Sequence, residues 1–268
     1  MGGMTKPSIA PLPSRAVITA SGPDIVGFLN GLLTQTVEPG ELRFAGLLTP
    51  QGRLLYDLFV GVSGETALLD VAAEHRDAIL ARLLMYRLRA KVELAASDLK
   101  VHALFGFDPD AIDGFPADPR LSALGWRFYG DMPSAEATED AYDAHRLALG
   151  VPGPADWGTD KTYPIEADFD LLNGIDFKKG CFVGQETTSR MKRRGTIKTR
   201  MLPITFDGPP PAFGTEVLAG DLRAGEVLSG RDGRAMALLR LDRIEGAALT
   251  ADGRAATVNW PVWVPARQ

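Results

Sequence analysis

The apolar residues of this 268-residue chain follow two different patterns, and the change near residue 200 constrains the fold more than any other feature. Before that point, segments long enough for amphipathic helices alternate with apolar runs that turn residues separate. After it, only short alternating runs remain, punctuated by glycine, proline and Asp-Gly pairs. Runs of this length are typical of antiparallel strands. The sequence therefore predicts an α+β region followed by a small antiparallel β-barrel or sandwich.

The first half of the chain is predicted to be α+β, with an antiparallel meander between two helices. Apolar residues at helical spacing predict helices over residues 25–36 and 74–89. Consecutive apolar runs are separated by the turn-forming sequences PQG and SGE, which favours antiparallel hairpins over parallel βαβ units. The predicted strands of this half span residues 15–20, 43–49, 53–62, 66–72, 91–94 and 99–105.

A segment rich in proline, glycine and aspartate, residues 108–120, predicts a surface connection to a second α+β part. The pattern that follows predicts a strand over residues 126–129 and helices over residues 136–149 and 185–193. The predicted barrel strands span residues 201–206, 216–219, 224–229, 235–241 and 255–259. The predicted domains are residues 1–107, 108–199 and 200–268.

Composition and cysteine content limit the class of protein. The chain is 45% hydrophobic and 24% charged, as folded proteins are, and no run approaches the roughly 18 apolar residues that span a bilayer. Its first 15 residues lack the apolar core of a secretory signal and are too poor in arginine for an organelle transit peptide, which predicts a cytoplasmic location. A single cysteine, Cys181, allows no intrachain disulfide and no cysteine-rich zinc site. We expect no membrane segment, no metal site and, because no heptad is visible, a monomer.

Positive charge is concentrated in one segment. Between residues 178 and 200 there are eight basic side chains and one acid, a net charge of +7 in a chain whose total is −5. Such a segment in a mildly acidic protein indicates an anion site more than a general nucleic-acid binder. A solvated basic face is one alternative. The other is an RNA-binding surface, formed by Lys192, Arg193, Arg194, Lys198 and Arg200.

Cys181 lies inside this basic segment, in the sequence DFKKGCFVGQE. Gly180 and Gly184 permit a tight turn around the thiol, and the predicted helix over residues 185–193 places it just before a helix N-terminus. Helix N-termini and neighbouring cations lower the pKa of a thiol, so we predict a reactive, at least partly exposed Cys181. The alternative is a small buried hydrophobe. One thiol cannot enclose an iron–sulfur cluster, which would have to be shared with a partner or held transiently.

Two other segments contain candidate ligand contacts. Tyr56 and Asp57 interrupt an apolar strand after a predicted hairpin turn, where a carboxylate needs a partner or a ligand. The alternative for Asp57 is a surface acid at a sheet edge. Glu166 and its neighbouring acids could accept hydrogen bonds from a heterocycle or form a solvated loop, and Asn173 leads from this loop into the cysteine segment. No Walker A, GxGxxG or HExxH sequence is present.

The sequence KGCFVGQE at residues 179–186 closely resembles the signature of the YgfZ-like folate-binding proteins, K-G-C-[YF]-x-G-Q-E. Further stretches in the family's order are FLNGLLT at 28–34, GR at 52–53, RLALGVP at 146–152 and PIEA at 164–167. The resemblance covers about residues 15–260. This family is similar to the aminomethyltransferase (T-protein) of the glycine cleavage system. The resemblance implies a ring of two α+β, ferredoxin-like domains and a C-terminal antiparallel β-barrel around a central tetrahydrofolate pocket.

The resemblance also implies an accessory protein for assembly or repair of iron–sulfur proteins, with tetrahydrofolate or another reduced folate as cofactor and iron–sulfur client or assembly proteins as partners. Cys181 would be a nucleophile, redox group or transient cluster ligand, with Lys179 and Asp57 as further catalytic residues. The basic segment would attract the anionic glutamate tail of the folate. The residues expected to contact folate are Tyr56, Asp57, Glu166, Asn173, Gly180, Gly184, Gln185, Glu186 and Arg190.

A folate-dependent one-carbon transferase is the alternative function. In that reaction Asp57 would orient or deprotonate the folate amine. Aminomethyltransferases have paired acids after the hairpin glycines, whereas this chain has Tyr56 and Asp57 there. One of the two acids is therefore missing.

Overall fold

The computed structural model describes residues 8–106, 115–132, 135–195 and 197–265. Its helices are α1 Ile25–Leu32, α2 Arg76–Arg87, α3 Glu139–Ala148, α4 Pro154–Trp157, α5 Gln185–Arg194 and α6 Leu241–Ile244. Its strands are β1 Ser8–Pro11, β2 Arg15–Ser21, β3 Arg43–Leu48, β4 Leu54–Ser63, β5 Thr66–Ala72, β6 Glu93–Ser97, β7 Val101–Phe105, β8 Trp126–Tyr129, β9 Thr199–Thr205, β10 Glu216–Ala219, β11 Leu222–Arg231, β12 Arg234–Arg240, β13 Leu249–Ala251 and β14 Arg254–Val258.

A five-stranded antiparallel sheet with the order β3-β4-β5-β2-β6 contains the meander expected from the sequence. One face packs against α1 and α2 in a core that includes Ile18, Leu29 and Leu83. Because side chains alternate along a strand, Leu58 of β4 faces these helices whereas Phe59 faces the rest of the molecule. This alternation also decides where Asp57 lies.

A second, three-stranded sheet has the order β1-β7-β8 and combines strands from both sides of residue 107. The segment 108–120 was expected to be a surface connection, and its residues 107–114 lie outside the described part of the chain. In the part that follows, Pro116 and Ala117 are exposed as expected, but the expectation is wrong for Asp118 and Arg120, which are only 3% and 5% exposed. They are buried because they bind each other and neighbouring charged side chains beneath this sheet.

The C-terminal part is a closed antiparallel barrel with the order β10-β11-β12-β9-β14-β13, which confirms the predicted barrel. Alternate side chains fill its interior, among them Leu202, Val217 and Leu239. Strand β13 was not predicted, because three residues are too few for an alternating pattern.

A mixed core joins the five-stranded sheet to the barrel. Phe169 lies at its centre, with its ring centroid 4.6 Å from Phe44 and 5.4 Å from Trp157. Met201 and Met236 contribute from barrel strands β9 and β12. The loops that connect the five-stranded sheet and the barrel are therefore held at fixed positions. In the described residues, no helix is long and apolar enough to cross a membrane.

Candidate functional site

Cys181 is exposed on a loop between the mixed core and α5, which confirms the predicted exposure of the thiol. Asp176 folds the start of this loop. Its Oδ1 accepts hydrogen bonds from the backbone N–H groups of Lys178 at 2.8 Å and Lys179 at 3.2 Å, and its Oδ2 accepts one from Thr36 Oγ1 at 2.6 Å. The Thr36 hydrogen bond and these backbone bonds hold the pKa of Asp176 below its ordinary value. The loop is thus fixed five residues before the cysteine.

Lys179 fastens the same loop to the end of α1. Its Nζ donates to the backbone oxygens of Leu33 at 2.7 Å and Gln35 at 2.9 Å. A cation at this position complements the carbonyl groups at the C-terminus of a helix. Partial burial lowers the pKa of Lys179 to about 8. Lys179 is therefore an anchor of the cysteine loop, and its catalytic role stays a prediction.

Gly184 packs directly against the turn between β3 and β4. Its φ is +83°, and a Cβ there would lie 2.7 Å from Thr49 O. Gly52, in that turn, has φ +82°, and its Cβ would lie 2.8 Å from Cβ of Thr187. Both positions require glycine, because a side chain would collide with neighbouring atoms and strain the backbone. By contrast, a Cβ on Gly180 would meet nothing within 4 Å.

The cysteine loop and α1 line an open surface pocket of about 480 Å³, called the cysteine cavity below. Its lining residues are Gly27, Asn30, Gly31, Thr36, Lys179, Gly180 and Cys181. Beyond the loop, Gln185 is half-buried at the start of α5, while Glu186 and Arg190 are exposed on that helix.

A second cavity of about 490 Å³, the central cavity, lies between the five-stranded sheet, α3, α4 and the barrel. Asp57 lines it and is only 3% exposed, because Arg15 NH1 binds its Oδ2 at 2.8 Å. Asp57 is thus a buried, paired carboxylate and not a surface acid at a sheet edge. Tyr56 lies on the opposite face of β4, where it packs in the helix-side core with its ring 5.2 Å from His75. The two neighbours in sequence therefore do not share a site.

The wall of the central cavity is a network of buried ion pairs that sequence reasoning missed. Asp70 binds Arg15 Nε and Arg127 NH1, both at 2.6 Å. Asp118 binds Arg120 NH2 at 2.8 Å and Arg127 Nε at 3.3 Å. Burial alone would raise the pKa of Asp118, but the two guanidinium groups lower it to about 2. The sequence did contain a signal for this network: Asp70 lies within an apolar run on β5. A carboxylate buried there needs a cation as its partner.

Phe59 forms the apolar centre of this network. The Arg127 guanidinium lies 3.5 Å from the centroid of its ring, and those of Arg120 and Arg15 lie at 4.9 and 5.4 Å. Cations stack favourably on aromatic faces in this way. The three arginines are therefore held by ion pairs with carboxylates and also by contact with the Phe59 ring.

The acidic segment 163–170 anchors the barrel. The side chains of Asp168 and Asp170 are fully buried and bind Arg200 of β9 at 2.6 and 2.9 Å. Burial raises the pKa of Asp168 to about 8 in spite of Arg200, and its Oδ2 has no hydrogen-bond partner among the described residues. Glu166 Oε1 accepts from Thr199 Oγ1 at 2.6 Å. Asp168 and Asp170 are therefore not part of a solvated acidic loop, and a hydrogen bond from a heterocycle to Glu166 stays a prediction.

Burial of Arg200 also corrects the proposed RNA surface, because a guanidinium bound to the side chains of Asp168 and Asp170 is not available to phosphate. Lys192, Arg193 and Lys198 are exposed. The described residues that line the central cavity all lie outside the basic segment 178–200. The attraction of a folate's glutamate tail to this basic segment stays a prediction.

The predicted site residues are consequently divided among separate places. Asp57 lies in the central cavity, while Gly180 and Cys181 line the cysteine cavity. Glu166 holds β9, and Asn173 donates through Nδ2 to Pro119 O at 3.0 Å. Within the described ranges, no group of three or more His, Cys, Asp or Glu side chains could hold a metal ion.

The chain is similar to known proteins both in its C-terminal barrel and in its whole fold. Residues 198–266 match the family described as CAF17, C-terminal beta-barrel domain. The glycine cleavage system aminomethyltransferase T from Bartonella henselae superposes with a TM-score of 0.77, over 97% of this chain and 87% of that protein. At 19% sequence identity this likeness shows the fold alone, and it confirms the T-protein-like architecture expected from the sequence.

The iron–sulfur cluster assembly factor IBA57 of Homo sapiens is 30% identical and is matched over 95% of this chain and 83% of its own length. An IBA57 homolog of Mycosarcoma maydis is 32% identical over 76% of this chain. The chain spans 59% of the length of that fungal relative and 55% of the length of a Neurospora crassa homolog.

The names of these relatives contradict the predicted location of the protein and support its predicted family. The human, mouse and Mycosarcoma maydis proteins are all called mitochondrial, which contradicts the predicted cytoplasmic location. That prediction rested on N-terminal composition, which reports only on a leader sequence. The resemblance to YgfZ-like proteins is confirmed by the relatives, the barrel family and the fold together. The chain belongs to the YgfZ-like family of IBA57 iron–sulfur cluster assembly factors.

Proposed function

We propose that this protein acts in the assembly or repair of iron–sulfur proteins, with Cys181 as its reactive thiol and a reduced folate bound in the central cavity. The observation that carries the proposal is the exposed Cys181 on a loop that Asp176 and Lys179 fix against α1. Relatives named iron–sulfur cluster assembly factors support the pathway.

The geometry of the cysteine loop suits a thiol that meets a partner protein. Its anchors are hydrogen bonds within the chain, so the thiol is positioned before any partner arrives. Gly180 leaves open space beside it. A cluster normally takes about four cysteine ligands, so a cluster held by Cys181 would need thiolates from the partner.

The residues of the central cavity fit a reduced folate. The volume of about 490 Å³ lies within the range of about 300–1,000 Å³ typical of small-molecule sites. Tyr142 and Asp57 both line the cavity, and Asp57 offers a carboxylate to a heterocycle rich in N–H donors. The bound folate would supply a one-carbon carrier or a reduced ring, while these side chains bind and orient it.

A folate-dependent one-carbon transferase is the second candidate. The aminomethyltransferase fold and the position of Asp57 in the central cavity favour it. Arg15 already binds Oδ2 of this carboxylate, so a substrate amine would have to share it. Turnover of methylene-tetrahydrofolate with an amine donor, lost in Asp57→Asn but kept in Cys181→Ala, would favour this function.

The pathway is tested in cells that lack the protein, by measuring an endogenous [4Fe–4S] enzyme after complementation. We expect the wild type and the exposed neighbour variant Lys178→Ala to restore activity, and Cys181→Ala to fail. Restoration by Cys181→Ala would refute the role of the thiol. Unchanged activity in the deletion cells would refute the pathway.

Folate binding is tested by calorimetric titration with tetrahydrofolate. We expect saturable binding by the wild type. Ala155 lines the central cavity and is exposed, so Ala155→Trp should block the cavity without disturbing the core. Ala247→Trp, at an exposed position outside the cavity lining, is the matched control and should bind like the wild type. Absence of heat at millimolar ligand would refute the folate site.

A further inference from the structure

The inner wall of the central cavity is electrically balanced. Its arginines are Arg15, Arg120, Arg127 and Arg146, and the buried acids that bind them are Asp57, Asp70, Asp118 and Asp156. These eight side chains are at most 6% exposed. The wall therefore attracts a ligand through hydrogen bonds, and it has no net charge that favours an anion.

The mouth of the cavity is acidic. The more exposed side chains that line it are Glu74, Glu139, Asp140, Asp143 and Arg231, a net charge of −3. The Glu74 and Asp140 side chains are each 76% exposed. Arg231, the one cation of this group, is bound to Asp140 at 2.7 Å, and Asp143 is bound to Arg146 of the wall at 2.6 Å, so among the described side chains of the mouth Glu74 and Glu139 are the acids without an arginine partner. The mouth thus presents negative charge to anything that extends from the cavity into water.

The physical chemistry of a folate sets its direction in such a cavity. The pterin and benzoyl rings are aromatic and gain from leaving water, whereas the ionised carboxylates of the glutamate tail lose hydration when buried. The rings therefore lie against the inner wall and the tail passes through the mouth. Each further γ-linked glutamate brings one more negative charge to the acidic side chains there.

We propose that the acidic mouth makes the central cavity selective for reduced folates with a single glutamate over those with polyglutamate tails. This inference rests on the proposed binding of a reduced folate. The discrimination is electrostatic, so it is strongest at low ionic strength. We expect affinity to fall about two-fold for each added glutamate, and so about four-fold for the triglutamate, at low salt.

The test compares the dissociation constants of tetrahydrofolate and its triglutamate by calorimetry, with the intact protein, at low and at high salt. The expected result is weaker binding of the triglutamate at low salt and a smaller difference at high salt. Equal or tighter binding of the triglutamate would overturn the selectivity and leave the folate site standing. No binding of either compound would overturn the folate site itself.

Charge-neutral variants locate the effect. Glu74→Gln combined with Glu139→Gln removes two charges from the mouth and should reduce the difference between the two folates by at least half. Glu216→Gln, a 59% exposed side chain on the barrel, is the matched control and should leave the difference unchanged. An equal difference in all three proteins would overturn the assignment to the mouth. Binding of the single-glutamate compound shows that the double variant is folded.

Discussion

Charged side chains that are almost completely buried line the central cavity, whereas small residues and one half-buried lysine line the cysteine cavity. In the central cavity, paired ions satisfy each other at a large cost in hydration, which leaves a rigid wall. In the cysteine cavity, backbone groups hold Lys179 and Asp176, and the thiol of Cys181 stays open to solvent. A rigid wall suits binding, and an open thiol suits reaction with a partner.

The two cavities are nevertheless connected through β4. Asp57 of this strand lies in the central cavity, and the turn that precedes the strand packs Gly52 against Gly184 beside the cysteine loop. The connection covers five residues, or about 16 Å of extended strand. Substitutions at the two cavities can therefore be compared along a single strand, β4, and the turn that precedes it.

The largest effect is expected when the buried network loses its central carboxylate. Asp70→Ala leaves both Arg15 and Arg127 without a main partner, which should lower the free energy of unfolding by about 3–5 kcal/mol. Chemical denaturation measures this. The control Asp131→Ala breaks an ion pair with Lys100 whose side chains are 86% and 69% exposed, and its stability should stay close to that of the wild type. Similar losses in the two variants would contradict the difference between buried and exposed pairs.

Next in size is a contrast between two glycines of the cysteine signature. Gly184→Ala introduces a Cβ 2.7 Å from Thr49 O at φ +83°, so stability should fall by about 1–3 kcal/mol. Gly180→Ala meets no neighbouring atom and should change stability by less than about 0.5 kcal/mol. Thermal unfolding compares the two proteins. If both variants were equally stable, the close packing between Gly52 and Gly184 would not support the cysteine loop.

The stability of the protein is expected to depend on pH through Asp168, in the acidic segment that anchors the barrel. The folded-state pKa of Asp168 is about 8, above its value in the unfolded chain, because burial outweighs the attraction of Arg200. The folded state then binds the proton more tightly, so this group's stabilising contribution is complete at low pH and is lost as pH rises toward 8. The loss should be on the order of 1–3 kcal/mol between pH 6 and 8.

Unfolding curves at both pH values test this prediction. Asp168→Asn keeps an oxygen for Arg200 but does not titrate, so its stability should depend less on pH than that of the wild type. Asp170, Arg200 and Lys192 face the same cluster and are unchanged in this variant. An equal pH dependence in both proteins would contradict the assignment to Asp168.

The smallest effect on stability is expected at the cysteine loop. Lys179→Ala removes the hydrogen bonds to Leu33 O and Gln35 O, which should lower stability by about 1–2 kcal/mol and change the rate of Cys181 alkylation by iodoacetamide. Lys178→Ala, at the exposed neighbouring position, should leave both quantities close to those of the wild type. Equal alkylation rates in the three proteins would show that Lys179 does not position the thiol.

Much of the fold was predictable from local patterns. The meander, the helices at α1, α2, α3 and α5, and the barrel all follow from hydrophobic periodicity and turn residues. The exposure of Cys181 followed from a glycine-rich, basic context. Two errors share one cause: Asp118, Arg120 and Arg200 were assigned to the surface because of the composition of their segments. Charged residues are normally exposed, and these are buried with partners that the local pattern does not reveal.

The sequence by itself determined which segments become helices and strands, because these depend on side-chain periods of about 3.6 and 2 residues within one segment. Only the tertiary structure decided which charges meet. Asp70 binds Arg127 across 57 residues, Asp168 binds Arg200 across 32, and Asp57 and Cys181 line different cavities. The physical reason is that buried ion pairs form between groups that packed sheets bring together, and no local period records that meeting.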